Sequence, residues 1–121
     1  MTIDQFSSIL IHQSATVKDA LKQLDKNAQK ILFVVKDDNK LVGSLTDGDI
    51  RRWILREGSL TAKAKEVCYK DTYFVWQGYN LEEVKNEIQR RKIFYVPVVD
   101  RGKKIQEFLV WDKLFVGKLI R

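Results

Sequence analysis

One cysteine, one proline and one histidine are all that 121 residues contain of these three types. With Cys68 alone there is no internal disulfide framework, and a reducing compartment, the cytoplasm, is expected. Without any CxxC or HxxxH spacing, His12 has no metal-ligating company, so no metal site is expected and His12 reads as a structural or surface residue. Cys68, next to Val67 and Tyr69, has no histidine partner and reads as a buried, inert thiol. No apolar run approaches the roughly 20 residues that span a bilayer. Asp4 and Gln5 interrupt any signal-peptide pattern at the start. Paired carboxylates for acid–base work are missing too: Asp47 and Asp49 are two apart and diverge on a helix. The chain by itself is therefore not expected to be an enzyme.

What is present suits one compact domain or two closely packed modules: 45% hydrophobic and 31% charged residues. The formal charge is +6, unevenly divided, with +1 on residues 1–60 and +5 on residues 61–121. Such a field attracts anions of any kind without identifying one. The basic clusters "QRRK" at 89–92 and "RGKK" at 101–104 raise a nucleic-acid reading that rests on charge alone. The first ends a predicted helix, where positive charge is favourable anyway, and the second sits in a predicted turn. Solvated faces are the expectation for both, and nucleic acid is not the expected partner.

Periodicity organises the rest. Val17, Ala20, Leu21 and Leu24 line one face of a helix capped by Thr16, with Asp19 at the reciprocal capping position and Asn27 at the end. "KILFVV" reads as a buried strand, "KDDNK" as a turn and "LVGSL" as an antiparallel partner strand. "DGDIRRWILRE" reads as a helix stopped by Gly58. The same order returns after 64 residues, with Asn80 as cap, Leu81, Val84 and Ile88 as helix face, and "KIFYVPVVD" and "KIQEFLV" as strands. A short extended piece precedes each first helix, "SSILI" and "TYFVW". The expected fold is α/β (α+β). Two repeats, residues 1–60 and 61–121, each have a short three-stranded sheet with two helices, packed with pseudo-two-fold symmetry.

The stretch "GSLTDGDIRRW", 43–53, carries the chemistry. A ligand at the start of its helix meets unpaired backbone amides that favour negative charge. Thr46 can donate to a phosphate oxygen, Asp49 can accept both hydroxyls of a ribose diol, and Arg52, three residues on, can offset phosphate charge. Gly43 permits close backbone approach. The competing reading is structural: Thr46 or Asp47 caps the helix, and Asp49 and Arg52 form a solvated pair.

"LVGSLTDGDIRR" resembles the signature of the CBS domain family, a glycine, a strand, Thr, two spacers, Asp, an apolar residue and a basic one. Gly43, Thr46, Asp49 and Arg52 match it. "FYVPVVD", 94–100, resembles the family's strand with its Pro-Val step. Over residues 8–117 the order and doubling are similar to a CBS pair, or Bateman module. More finely, residues 16–60 resemble the pair that precedes sugar-phosphate nucleotidyltransferase domains in some bacterial proteins. "TDGDIRR" also occurs in pairs attached to sugar-phosphate isomerases.

The resemblance implies a regulatory module for an adenine nucleotide (AMP, ADP or ATP), with S-adenosylmethionine ranked behind. It places such ligands in clefts between paired repeats. By resemblance, Asp49 takes the ribose and Thr46 approaches the phosphate. Ile9 to Ile11 line the base pocket, and Lys30, Ile31 and Leu32 close it. A homodimer through helix faces is implied, with Trp53, Ile54 and a helix at 112–119 as candidates, and a catalytic domain fused or associated. The sequence departs from the family at Val34-Val35, where a Pro-Val step is usual. It departs again in the second repeat, where Glu107, Val110 and Lys113 stand in place of Gly43, Thr46 and Asp49. At most one nucleotide site is therefore expected per chain. The alternative function is a structural dimerisation module whose nucleotide site is vestigial.

Overall fold

The structure, a computed structural model, describes residues 3–115, with side chains from Phe6 onward. It divides into two compact units, the first Asp4–Thr72 and the second from Tyr73 on.

The first unit begins with a 3-10 segment, Ile3–Ile9, followed by strand β1, Leu10–His12. The extended piece expected over Ser7–Ile11 thus starts three residues later, and Ser7, Ser8 and Ile9 belong to the 3-10 segment. Helix α1, Val17–Lys26, is capped by Thr16, whose side chain accepts the Asp19 amide while Asp19 accepts the Thr16 amide. Those bonds hold the Asp19 carboxyl below the usual carboxylate range, the Thr16 backbone N–H contributing most. Asn27 closes α1. It is buried, its amide nitrogen donates to the Ser8 carbonyl at 3.0 Å, and its side-chain oxygen accepts from the Lys30 amide at 3.0 Å. Strands β2, Ile31–Lys36, and β3, Lys40–Thr46, form an antiparallel hairpin, and β1 adds in parallel to β2. The hairpin connection places Asp38 and Asn39 in the left-handed region, which Asn and Asp tolerate best after Gly. Helix α2, Asp47–Leu55, follows β3 without a loop, and a one-turn helix α3, Ala64–Val67, ends the unit.

The second unit repeats this plan with β4 (Val75–Trp76), α4 (Leu81–Arg91), β5 (Tyr95–Val99), β6 (Ile105–Val110) and α5 (Trp111–Leu114). The repeat extends to register. Ile11 pairs with Val34 as Val75 pairs with Val98, and Ile31 faces Thr46 as Tyr95 faces Val110. Even the ladder irregularity recurs, between Val34 and Val35 and between Val98 and Val99. Ile11, Ala20, Leu24, Leu32, Val34 and Leu45 lie in the first core. Val75, Val84, Ile88, Val96, Val98 and Leu109 occupy the equivalent places in the second. Burying each large aliphatic side chain contributes about 1.5–3 kcal/mol. The helix face of α4 is shorter than its spacing suggested, because Leu81 stays 42% exposed.

The boundary differs from the expected 60/61. Residues 60–69 complete the first unit. The carbonyls of Ala62 and Leu60 accept the first two amides of α1, from Val17 and Lys18, at 2.9 and 3.0 Å. Ser44 and Tyr69 exchange backbone bonds of 3.0 and 2.7 Å, and Ala64 and Cys68 enter the first core. Helix ends need such external acceptors and donors, and only a returning segment supplies them here. Gly43 makes that return possible: a Cβ there would lie 2.5 Å from the Tyr69 carbonyl oxygen and 3.0 Å from Cys68 Sγ. The close approach that Gly43 permits is thus made by the chain's own backbone. Cys68 is buried beside it, and loss of solvation pushes its thiol pKa up.

None of the described helices is long and apolar enough to cross a membrane. The clustered arginines of α4 have internal partners: Arg90 and Arg91 each donate to Glu87 at 2.7 Å, and the Arg91 guanidinium lies 4.8 Å from the Tyr73 ring centre.

Two measurements check this account. Gly43→Ala should lower unfolding free energy by about 1–3 kcal/mol in urea titrations, since backbone must move to admit the methyl group. In the second unit, hydrogen bonds from Arg90 and Arg91 depress the Glu87 carboxyl from 4.5 to about 2. A depressed folded-state value means that these bonds favour folding above the unfolded value and that the benefit fades as pH falls toward 2. Carboxyl-carbon NMR should place the Glu87 midpoint near 2, and Arg90→Gln with Arg91→Gln should return it toward the ordinary range.

Candidate functional site at the β3–α2 corner

The β3–α2 corner contains the chemistry of the signature. Thr46 is the last residue of β3 and the N-cap of α2. Its side-chain oxygen accepts the Asp49 amide at 3.3 Å, and Asp49 Oδ2 accepts the Thr46 amide at 2.9 Å and its hydroxyl at 3.0 Å. Asp49 Oδ1 accepts Arg52 Nη2 at 2.9 Å. The carboxylate side chain is 17% exposed and the arginine 61%. Both sequence readings therefore describe this corner: Thr46 and Asp49 form a cap, and the residues suited to a nucleotide stand together.

What the sequence could not reveal is the state of the backbone donors. In α1 the first two amides are taken by Ala62 and Leu60 carbonyls. In the second unit, Trp111, first residue of α5, donates to the Phe94 carbonyl at 2.9 Å. At the equivalent place in the first unit, Asp47 makes no such bond to Lys30. Lys30 stands in the left-handed region, φ 63°, held by Asn27. Among the described residues, the amides of Asp47 and Gly48 have no hydrogen-bond partner. Two open amides at the head of a nine-residue helix favour negative charge. At the second corner Val110 offers no side-chain cap bond, and the Trp111 amide is occupied by the Phe94 carbonyl.

The remaining sequence candidates separate. Ile31 lies opposite Thr46 in the hairpin and is half-buried. Lys30 is exposed and lines, with Asp47, Lys22 and Asp25, an open cleft of about 400 Å³. Ile9, Ile11 and Leu32 are buried, and Ile11 and Leu32 belong to the first core against α1 and α2. The side chains of Ile11 and Leu32 are thus packed against residues of their own unit. Lys30 had a signal of its own in the sequence only as part of the strand start; its left-handed backbone carried none.

Other residues resolve simply. His12 is a surface residue, its Nδ1 bonded to Ser14 Oγ at 2.7 Å and its Nε2 to Asp37 at 3.1 Å. Trp53 does not stand free as a dimer surface. Its indole covers Gly58, where a Cβ would come within 2.2 Å of the ring, and donates to the Ser59 carbonyl at 3.0 Å. Ile54 and Leu55 remain exposed at 45% and 76%. The expected helix at 112–119 is a helix over Trp111–Leu114 with Phe115 as its C-cap, and residues 116–119 lie outside the described residues.

Residues 7–56 match the model of the CBS domain family, a span that contains the whole corner. Among relatives, arabinose 5-phosphate isomerase GutQ of Escherichia coli O6:H1 is 30% identical over 92 residues, 76% of this chain and 29% of that protein. The chain thus spans less than a third of the isomerase it matches. The sugar-phosphate enzyme found here is an isomerase and not the expected nucleotidyltransferase. Among solved structures, Staphylococcus aureus OpuCA superposes with a TM-score of 0.72 at 27% identity, covering 93% of this chain and 91% of that one. CBSX2 in complex with AMP superposes at 0.75 and 23%, covering 92% and 87%. The CBS domain pair of MJ0100, in complex with methylthioadenosine and S-adenosylmethionine, does so at 0.69 and 24%, covering 91% and 89%. The fold of the whole chain is that of a CBS pair.

The cap can be tested apart from any ligand. Thr46→Ala should destabilise the protein by about 1 kcal/mol in urea unfolding, and Thr46→Ser should be close to neutral.

Proposed function

We propose that this CBS pair is a regulatory module that binds one adenine nucleotide per chain at the β3–α2 corner of its first repeat. The supporting observation is the coincidence, within seven residues, of two unpartnered amides, a hydroxyl, a carboxylate and a guanidinium. Asp49 takes the ribose hydroxyls. Thr46, the Asp47 and Gly48 amides and Arg52 take phosphate. Ile31 and the backbone near Ile9, Ile11 and Leu32 stand toward the base. AMP, ADP and ATP rank first and S-adenosylmethionine after them, because this corner is built for an anion and the sulfonium ligand carries no phosphate. AMP is the ligand in the superposed CBSX2 structure. The likeness to GutQ favours a sugar-phosphate isomerase as the enzyme that the pair accompanies or controls. Assembly into a homodimer through the exposed Ile54 and Leu55 of α2 is part of the same reading.

A second reading, a scaffold with a vestigial site, draws on one observation: three donors already occupy the Asp49 carboxylate. Calorimetry separates the two. Saturable binding of AMP or ATP, weakened about tenfold or more by Asp49→Asn, supports the nucleotide reading. Asparagine keeps one oxygen for the Thr46 amide but cannot receive a diol, and thermal unfolding checks that the variant folds. Absence of binding to any of AMP, ATP or S-adenosylmethionine supports the scaffold.

A further inference from the structure

We propose that Arg52 makes phosphate a requirement for binding, by blocking Asp49 until an anion draws its guanidinium away. This rests on the nucleotide reading above and assigns the selectivity of that site to one side chain.

A carboxylate offers about four acceptor positions. Asp49 uses three of them: two on Oδ2, for the amide and hydroxyl of Thr46, and one on Oδ1, for Arg52. A ribose diol has two hydroxyl donors, and only one position is open. The Thr46 amide cannot leave without undoing the cap. The donors that can leave are the Thr46 hydroxyl, which rotates, and Arg52, which is 61% exposed and held by an ion pair of the weak surface kind. Both are groups that a phosphate accepts.

The guanidinium, held by Asp49 Oδ1, lies close to Gly48. A Cβ at Gly48 would sit 3.4 Å from Arg52 Nη1 and 3.5 Å from Nη2. The arginine therefore lies across the glycine on the first turn of α2, beside the unpartnered Asp47 and Gly48 amides. A phosphate held by those amides meets the guanidinium at short range and competes with Asp49 for it. Once Arg52 and the Thr46 hydroxyl turn to phosphate, two positions on Asp49 fall vacant for the diol. The exchange balances only for a ligand carrying both groups. An uncharged nucleoside must displace the Thr46 hydroxyl or Arg52 from Asp49 and offers neither of them an anion in return.

The test is a titration of adenosine and AMP against the native protein, Arg52→Met and Arg52→Lys. The native protein should bind AMP at least about tenfold more tightly than adenosine. In Arg52→Met, AMP should weaken while adenosine holds or tightens, so that the two affinities converge. Arg52→Lys should restore part of the preference, since it keeps the charge without the planar fork. A loss of helix stability would move both ligands together. Equal weakening of both, or an unchanged preference in Arg52→Met, overturns the assignment while leaving the nucleotide reading intact. If the native protein binds neither ligand, the nucleotide reading falls and the role of Arg52 falls with it.

Discussion

The reciprocal bond between Thr46 and Asp49 organises the first repeat. It ends β3 and starts α2 within one residue, so no loop intervenes between sheet and helix. That economy leaves the helix mouth at the end of an edge strand, with the Asp47 and Gly48 amides unpartnered among the described residues. The carboxylate that closes the cap is the same group able to take a sugar, and the hydroxyl that completes it is able to take a phosphate. Structure and recognition therefore draw on one set of atoms, and any ligand at this corner has to exchange with bonds that the folded chain already makes.

The two repeats show how the same frame can keep or lose such a corner. Their ladders, bulges and six core positions coincide at a spacing of 64 residues. Packing demands this agreement, because the inward faces of helix and sheet must interlock in both. The corner is under no such demand. In the second repeat Val110 caps nothing and the Phe94 carbonyl occupies the Trp111 amide. In the first, the buried Asn27 holds Lys30 in a left-handed turn, and the matching amide stays open.

Much of the frame was legible in the sequence. Thr16 with Asp19, Asn80 with the Glu83 amide, and the turn at 37–39 all lie where short-range spacing places them. The site residues Thr46, Asp49 and Arg52 were legible too, as a motif three residues in step. Their bonding was not. Spacing allowed either a cap or a ligand cluster, and in the folded chain Thr46 and Asp49 form the cap while Arg52 pairs with Asp49. Gly43 was read for its openness to a ligand, yet the space it leaves is filled by Tyr69, 26 residues away, which no local pattern announces.

The sequence by itself determined the elements, their duplication and the chemical types at the corner, because caps, periodicity and turn propensity act over a few residues. Only the tertiary structure decided which helix amides stay open, where the repeat boundary falls and what Gly43 makes room for. Those outcomes depend on carbonyls brought from distant parts of the chain. Leu60 and Ala62 satisfy one helix and Phe94 another, while Lys30 turns aside from a third.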